Sequence, residues 1–511
     1  MEDEPRTKLW QTLIDLIAKH RQYSYARWAR SDEVLQRLEA IAEHLKPDDL
    51  VGRFAPFFEW DPPLPHVSPR DFEERDSATA SARTNAVRQI LGDLGFPGIE
   101  RLARASKLPE HVGVSTAEVA PGESFSEVRS LLGRTDELRR LAHGWVARMS
   151  TDAAWLDART LEMPGWSIAT QVGFLLALGA PTARIVDVID SLDPAVQRQY
   201  WETVRPINVE DDAVAGVVDR LLAHDRPWVA IDLLSLACHR ASRSVSRAVS
   251  ADQVVKVLDR ALASDSIDPG SASRAAFEIG QLLDYLEGAE VAEATLARLE
   301  WSYFRMLEHA RQPRALYRVL SADPELFVEL VCRVYRPKKA SSSATADEGD
   351  AAIAQNAWSV LHAWRPRLDE LGGIGSHNLR SRVERARAQL AARDRADIGD
   401  HQIGQTLSGP SPGVDGIWPA EEIRTLIEDL ESTHLESGLV IGVFNSRGVT
   451  TRGVYDGGAQ EWALAAKYRH WGEALINRWR RTGRVLMQLA DDYEREARRE
   501  DLEAHAHASD V

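Results

Sequence analysis

The chain has 511 residues, of which 44% are hydrophobic and 27% are charged. Such a composition is ordinary for a folded protein and excludes wholesale disorder, and the length allows about three domains or one array of stacked elements. Asp and Glu number 78 against 62 Lys and Arg, and the net charge of −16 opposes general attraction to nucleic acid or to anionic membranes.

The N-terminal segment and the cysteines indicate the compartment. The first residues, MEDEPRTKLW, are acidic and polar, unlike a secretory signal, and the longest apolar run, at 172–181, is too short to cross a bilayer. Cys238 and Cys332 have no partner at metal-ligand or redox-motif spacing, and each lies in an apolar helical pattern. We therefore predict two inert thiols, no membrane contact and a cytoplasmic location.

Helical periodicity extends along most of the chain. The first predicted helix carries apolar residues at the i, i+3, i+4 spacing of one buried face: Leu9, Trp10, Leu13, Ile14 and Ile17. The same spacing recurs at 35–45, 254–262 and 296–307. Alternation typical of strands is nearly absent, so we predict an all-α fold.

Further along the chain, proline marks helix starts, and the spacing of helices predicts the architecture. Pro227, Pro324 and Pro419 stand where a first helical turn needs no N–H donor. Helix pairs of about 35 to 45 residues have the size of a HEAT-like repeat. We therefore expect an irregular HEAT-like helical-repeat array, an α-solenoid, over residues 1–340.

The last third of the chain is predicted to be a separate helical unit. Residues 341–350, SSSATADEGD, have the composition of a flexible linker, and residues 351–511 form the C-terminal helical domain. Its final helix, from Gly483, becomes almost purely charged and contains His505 and His507. We interpret this tail as a solvated helix end without a metal site.

An Arg/Gly-rich loop at 445–458, NSRGVTTRGVYDGG, separates a helix predicted from Pro419 to Phe444 from one starting near Ala459. Its candidate binding residues are Asn445, Arg447, Arg452 and Asp456. In the favoured interpretation the two arginines clamp the loop by binding helix-end carbonyls or carboxylates such as Asp456 and Glu461. In the alternative they face outward and, with loop N–H groups, form an anion site for a phosphate.

Catalytic motifs are missing from the sequence. It contains no GxxxxGK[ST] loop, no GxSxG elbow, no HExxH pair and no CxxC, so we predict no catalytic residues, no metal and no cofactor. Tryptophan is in excess, with 15 residues. One aromatic stripe follows helical steps, and we favour a core role for it over a binding role: Leu464, Tyr468, Trp471, Leu475 and Trp479.

The run GVFNSRGVTTRGVYDGGAQEWALAAKY, followed by YEREARREDLEA, resembles the C-terminal end of large, poorly characterised bacterial proteins built from helical repeats. The upstream blocks LEHARQPRALYRVLSADPELFVELVCRVYRPK and IGQTLSGPSPGVDGIWPAEEIR are similar to that group as well, and the resemblance covers most of residues 296–504. Trp462 and the pair Arg480-Arg481 depart from its pattern. Relatives often carry an amino-terminal effector or a STAND-like NTPase module.

The resemblance implies a sensor or scaffold arm of a bacterial stress or phage-defence system. No NTPase motif precedes the repeats, so we expect a split-gene partner or a truncated relative. Our leading hypothesis is a non-enzymatic helical-repeat scaffold or sensor that binds protein, including an NTPase or effector subunit encoded nearby. One alternative is a nucleic-acid-binding sensor that uses the Arg-rich helix at 380–395, and a second is an enzyme whose site forms only in the fold, for example around His143 and Asp152.

Overall fold

The computed structural model describes residues 3–64, 72–241, 249–264, 272–308, 310–339, 348–371, 376–447, 451, 453 and 456–509. Twenty-five α-helices occupy these residues. In the first half they are α1 (Asp3–Gln22), α2 (Asp32–Leu45), α3 (Leu50–Phe54), α4 (Phe72–Ala105), α5 (Pro109–Val119), α6 (Phe125–Leu131), α7 (Glu137–Met149), α8 (Ala153–Glu162), α9 (Ile168–Ala177), α10 (Ala183–Asp190), α11 (Pro194–Thr203), α12 (Asp211–Ala223), α13 (Pro227–Ala241) and α14 (Ala251–Leu262). In the second half they are α15 (Ala272–Gly288), α16 (Glu293–Leu307), α17 (Arg314–Ala322), α18 (Pro324–Val334), α19 (Glu348–Ala363), α20 (Ser376–Ala392), α21 (Ala396–Leu407), α22 (Glu421–Leu430), α23 (Thr433–Ser446), α24 (Ala459–Leu475) and α25 (Arg480–Ser509). Two short 3-10 helices span Ala55–Phe58 and Met163–Gly165.

The predicted all-α class is confirmed, because 76% of the chain is helical and the described residues contain no strand. Helices adjacent in sequence pack against each other, as α1 does on α2, α16 on α17 and α24 on α25. The HEAT-like character of the array stays a prediction. Within the described residues, no helix has both the length and the apolar character needed to cross a membrane.

Contacts divide the chain into two compact units, Met1–Ile267 and Asp268–Val511. The sequence predicts a different division, into residues 1–340, a linker at 341–350 and a domain at 351–511. Most of the predicted linker lies outside the described residues, so that division stays a prediction.

Arginine side chains satisfy many of the helix C-termini. Arg226 donates to the carbonyl oxygens of Trp201 and Val204, both at 2.6 Å, at the end of α11, and Arg395 donates to that of Tyr335 at 2.7 Å, at the end of α18. The last carbonyl groups of a helix have no partner within the helix and carry partial negative charge, so a guanidinium satisfies both needs. The same arrangement joins Arg6 to α2, Arg83 to the first 3-10 helix and Arg382 to α17.

Two helix pairs cross with glycine at the point of contact. A Cβ atom on Gly404 in α21 would lie 2.1 Å from the carbonyl oxygen of Leu435, and one on Gly438 in α23 would lie 2.0 Å from that of His401. Each glycine therefore lies against the backbone carbonyl group of the residue three positions before the other glycine. Helices α5 and α7 cross with the same offset, so among the described residues both units contain a backbone-to-backbone crossing of this kind.

The predicted helix from Pro419 to Phe444 is wrong. Two helices, α22 and α23, occupy the region because Glu431 adopts a left-handed conformation with φ of 49°, and Ser432 then caps α23. Helix α22 begins at Glu421, two residues after the predicted proline start. Helix α23 continues to Ser446, so Asn445, which we expected to turn the chain, is helical.

Helix α1 buries a narrower stripe than predicted. Trp10 and Ile17 are buried with Ala42 of α2, and Leu13 and Ile14 pack partly against them. Leu9, expected on the same face, is 51% exposed. At about 100° per residue, Leu9 lies about 100° around the helix from Trp10, whereas Leu13 and Ile14 lie about 60° and 40° from it, so Leu9 falls at the edge of the stripe.

Candidate functional site

The loop at 445–458 is held at its start by a buried ion pair. Arg447, at the end of α23, binds Glu461 of α24, whose side chain is fully buried. The same guanidinium lies 3.6 Å from Glu496 and over the ring of Tyr493, 5.7 Å from its centroid, and these carboxylates raise the pKa of Arg447 against the opposing effect of burial. For Arg447 the structure therefore has the contact that the clamp interpretation predicts.

The other three predicted site residues are distributed differently. Asp456 turns inward on its own loop, where its carboxylate accepts a hydrogen bond of 2.7 Å from the amide of Gly453. Asn445 is exposed on the last turn of α23. Arg452 lies outside the described residues. The structure thus brings Arg447 to Glu461, and a binding role for the loop stays a prediction.

Asp501, which sequence reasoning missed, anchors the end of the loop. Its carboxylate accepts from the amide of Gly458 at 2.7 Å and from the indole nitrogen of Trp462 at 2.9 Å. These hydrogen bonds lower the pKa of Asp501. One indirect signal of this contact was present in the sequence, namely the departure of Trp462 from the pattern of the similar proteins. The charged tail of α25 is therefore more than a solvated helix end, because it fixes the start of α24.

The aromatic stripe on α24 packs against its neighbours. Tyr468 stacks parallel to Tyr493 of α25 with ring centroids 5.7 Å apart, and its edge meets Trp471 at 5.6 Å. Leu475 is buried. These contacts support the core role that the sequence favours, and they place the Arg447 guanidinium on the aromatic cluster beneath the loop.

Most arginines of the Arg-rich stretch at 380–395 bind within the chain. Four of the six are joined to carboxylates or backbone carbonyls: Arg380, Arg382, Arg387 and Arg395. Arg387, for example, holds Asp400 through two hydrogen bonds of 2.7 and 2.8 Å. Arg385 and Arg393 are exposed and have no ion pair among the described residues. Two free guanidinium groups make a weak phosphate-binding surface.

The residues considered for a hidden enzyme site have separate environments. Asp152 caps α8 by accepting from the amides of Ala154 and Trp155 at 2.9 and 3.2 Å. His143 lies in α7, where burial and then Arg139 lower its pKa to about 4, so the imidazole is neutral at pH 7. Its Nε2 atom is buried and has no partner in the described part of the chain. Asp152 therefore has a structural role that needs no catalysis.

The surroundings of the two cysteines bear on the predictions of inert thiols and of no metal site. Both cysteines are free, Cys238 is buried, and burial raises the pKa of its thiol to about 12, which makes it unreactive. Cys332 is half-buried. Over the described ranges, no group of three or more His, Cys, Asp and Glu side chains is placed to hold a metal ion.

An open groove of about 710 Å³ runs along α1, and we call it the α1 groove. One face of α1 lines it from Lys8 to Lys19, which is about 16 Å of helix. Lys8, Lys19 and Lys107 are three of the eight lysines in the chain. Lys8 pairs with Glu4 at 2.8 Å and Lys107 with Glu59 at 2.9 Å, whereas Lys19 has no ion pair among the described residues.

One exposed aromatic side chain lines the α1 groove, and two more lie close to its lining residues in sequence. Trp28 lines it and is 55% exposed, with its ring edge-on to His20 at 5.2 Å. Tyr25 is 60% exposed, and Trp60, the residue after the groove residue Glu59, is 81% exposed. Large aromatic residues are normally among the more buried ones, so three exposed examples near one groove distinguish this surface.

Comparisons with protein-family models, with curated protein sequences and with solved structures gave no match to this chain.

Proposed function

We propose that the chain is a non-enzymatic helical-repeat scaffold or sensor that binds a protein partner, and that the α1 groove is the binding surface. The observation that carries this proposal is the group of exposed aromatic residues, Tyr25, Trp28 and Trp60, beside a groove long enough for about five extended residues. Trp and Tyr are the residues most enriched at binding hot spots. The occupant is a segment of the partner that places an apolar side chain on Trp28.

Charged groups of both signs line the groove. Lys8 and Lys107 each have one carboxylate partner. Asp15 lies one helical turn before Lys19 in the same lining, and its pKa is raised by burial and lowered by Lys19. The lysines are therefore balanced by carboxylates, and the proposal rests on the exposed aromatic residues.

The identity of the partner rests on the resemblance to bacterial helical-repeat proteins. It points to an NTPase or effector subunit encoded nearby, and to a role in defence or stress. The cytoplasm is the proposed location, because two free cysteines suit a reducing compartment. The anchored loop at 445–458 is a second contact surface in this proposal, with Asn445 and any outward-facing part of the loop as the contacting groups.

Affinity capture from the native host with the full chain tests the proposal. We expect one protein to co-purify with the wild type and to be lost from the W28A variant. With that protein purified, calorimetry should show a Kd about 30-fold higher for W28A, the effect of losing a hot-spot aromatic.

The matched control is W358A, which removes an exposed tryptophan of α19 in the other unit. Its Kd should stay within about twofold of the wild type. The proposal fails if no protein co-purifies, or if W28A and W358A bind the partner equally well.

A further inference from the structure

A small, partly open space lies between α18, α20, α21 and the segment that follows α19. Its volume is about 30 Å³, enough for one water molecule or one ion of similar size. Most of its lining is apolar, including Phe327, Leu379 and Val383. Two lining groups, Trp364 and Arg382, carry N–H donors.

Arg382 brings an unbalanced positive charge to this cavity. The residue is 9% exposed, and its guanidinium donates to the carbonyl oxygens of Leu320, at 2.5 Å, and Ser321 at the end of α17. A helix C-terminus supplies about half a negative charge, so about half a positive charge is left. Arg382 has no ion pair among the described residues, and the carboxylate of Asp323 acts on it only from a distance while accepting from the amide of Glu325.

Trp364 brings an unused donor to the same cavity. Its side chain is 2% exposed, and its Nε1 atom is buried without a hydrogen-bond partner among the described residues. A buried N–H group without an acceptor is destabilising, so such groups in native proteins usually mark a bound water or ion. The cavity therefore combines a spare donor with excess positive charge.

We propose that this cavity binds a small monovalent anion of chloride size, held by the Nε1–H group of Trp364 and the guanidinium of Arg382. An anion satisfies the indole donor and also balances the buried charge, whereas a water molecule satisfies the donor alone. Thr406 also lines the space, but its hydroxyl already donates to the carbonyl of Gln402 at 3.1 Å. This site is independent of the proposed partner binding.

Two measurements on the full chain test the anion site. In crystals grown with sodium bromide, an anomalous peak should appear within hydrogen-bond distance of Trp364 Nε1. In solution, replacing sodium gluconate by sodium chloride at constant ionic strength should raise Tm by about 5 °C when the chloride concentration is about 30 times its Kd.

Variants connect the two measurements to the proposed ligands. W364F keeps an aromatic ring but removes the donor, and it should lose most of the chloride-dependent rise in Tm. The control W358F changes an exposed tryptophan of α19, six residues before Trp364, and should keep the chloride-dependent rise. R382M should also lose the rise if it folds, but the conclusion does not depend on that variant.

The remaining outcomes each overturn the proposal. They are the absence of a bromide peak, a Tm that is the same in chloride and gluconate, and an equal loss of the shift in W358F and W364F. A bromide peak without any change of Tm would show binding at crystal concentration only, which also overturns it.

Discussion

Gly113 and Gly144 allow α5 and α7 to touch through their backbones. A Cβ atom on Gly113 would lie 1.9 Å from the carbonyl oxygen of Leu141, and one on Gly144 would lie 1.9 Å from that of Glu110. No rotation of a side chain relieves either contact, because the obstructing atoms are backbone. Only glycine is compatible with this crossing.

We predict that G113A lowers the free energy of unfolding by at least about 3 kcal/mol, since one methyl group forces the two helices apart. The matched control is G92A in helix α4, where no atom lies within 4 Å of the added Cβ. That change should stabilise by up to about 1 kcal/mol, because alanine is the better helix former. Urea denaturation measures both variants, and a G113A protein as stable as the wild type would refute the crossing.

Removing one partner of the buried Arg447–Glu461 ion pair should destabilise the folded protein. E461Q leaves the largely buried guanidinium of Arg447 without its closest counter-charge, and we expect a loss of about 3 kcal/mol in unfolding free energy. The double variant R447M/E461M should recover most of that loss, because neither charge is then unpaired. As a control, E329Q breaks an exposed pair with Arg333 and should cost less than about 0.5 kcal/mol. Equal losses for E461Q and E329Q would contradict the clamp.

Acid should destabilise the protein through His143. Its folded pKa of about 4 lies below the ordinary value of 6.5, so the unfolded chain binds a proton more readily between these values. Its contribution is therefore complete above pH 6.5 and is lost as the pH falls towards 4, by about 3 kcal/mol in all. Burial also lowers the pKa of His111 and His401, which act in the same direction.

The H143Q variant isolates this effect. Its unfolding free energy should fall less steeply than that of the wild type between pH 7 and pH 4.5. Chemical denaturation at each pH gives both slopes. Parallel curves for H143Q and the wild type would exclude His143 as a source of acid sensitivity.

Nucleic acid should bind weakly or not at all. Four arginines of 380–395 are committed to contacts within the chain, and the net charge of −16 repels phosphate. We expect no binding of duplex DNA or of single-stranded RNA by fluorescence anisotropy at 50 mM salt with micromolar protein. A measurable affinity that falls steeply with added salt would revive the nucleic-acid alternative.

The sequence predicted correctly those features whose cause lies close by in the chain. Pro227 and Pro324 begin α13 and α18 as predicted, because the fixed φ of proline acts within one turn. Glu461 could be named as a partner of Arg447 because only fourteen positions separate them. Asp501 could not, since its contacts with Gly458 and Trp462 depend on how α25 returns along α24.

Other features required the packed structure. The helix break at Glu431 requires a left-handed backbone conformation at that residue, although glutamate is by propensity a good helix former. The break is therefore visible only in the structure, where Ser432 caps α23. The cavity at Trp364 and Arg382 is lined by residues up to 83 positions apart, from Pro324 to Leu407. The sequence shows that arginine is abundant but does not show which carbonyl each guanidinium reaches.

The use of arginine at helix ends restricts how the gene can change. Lysine is usually a tolerated replacement on a protein surface, yet it has one nitrogen where Arg395 uses three, which donate to the carbonyl oxygens of Tyr335, Arg393 and Cys332. Mutational drift from arginine codons to lysine codons would therefore weaken joints between successive helices, even with total charge preserved. The preference of this chain for arginine over lysine is thus partly required by the contacts between its helices. We expect that preference to persist in descendants whose genomes shift towards A and T.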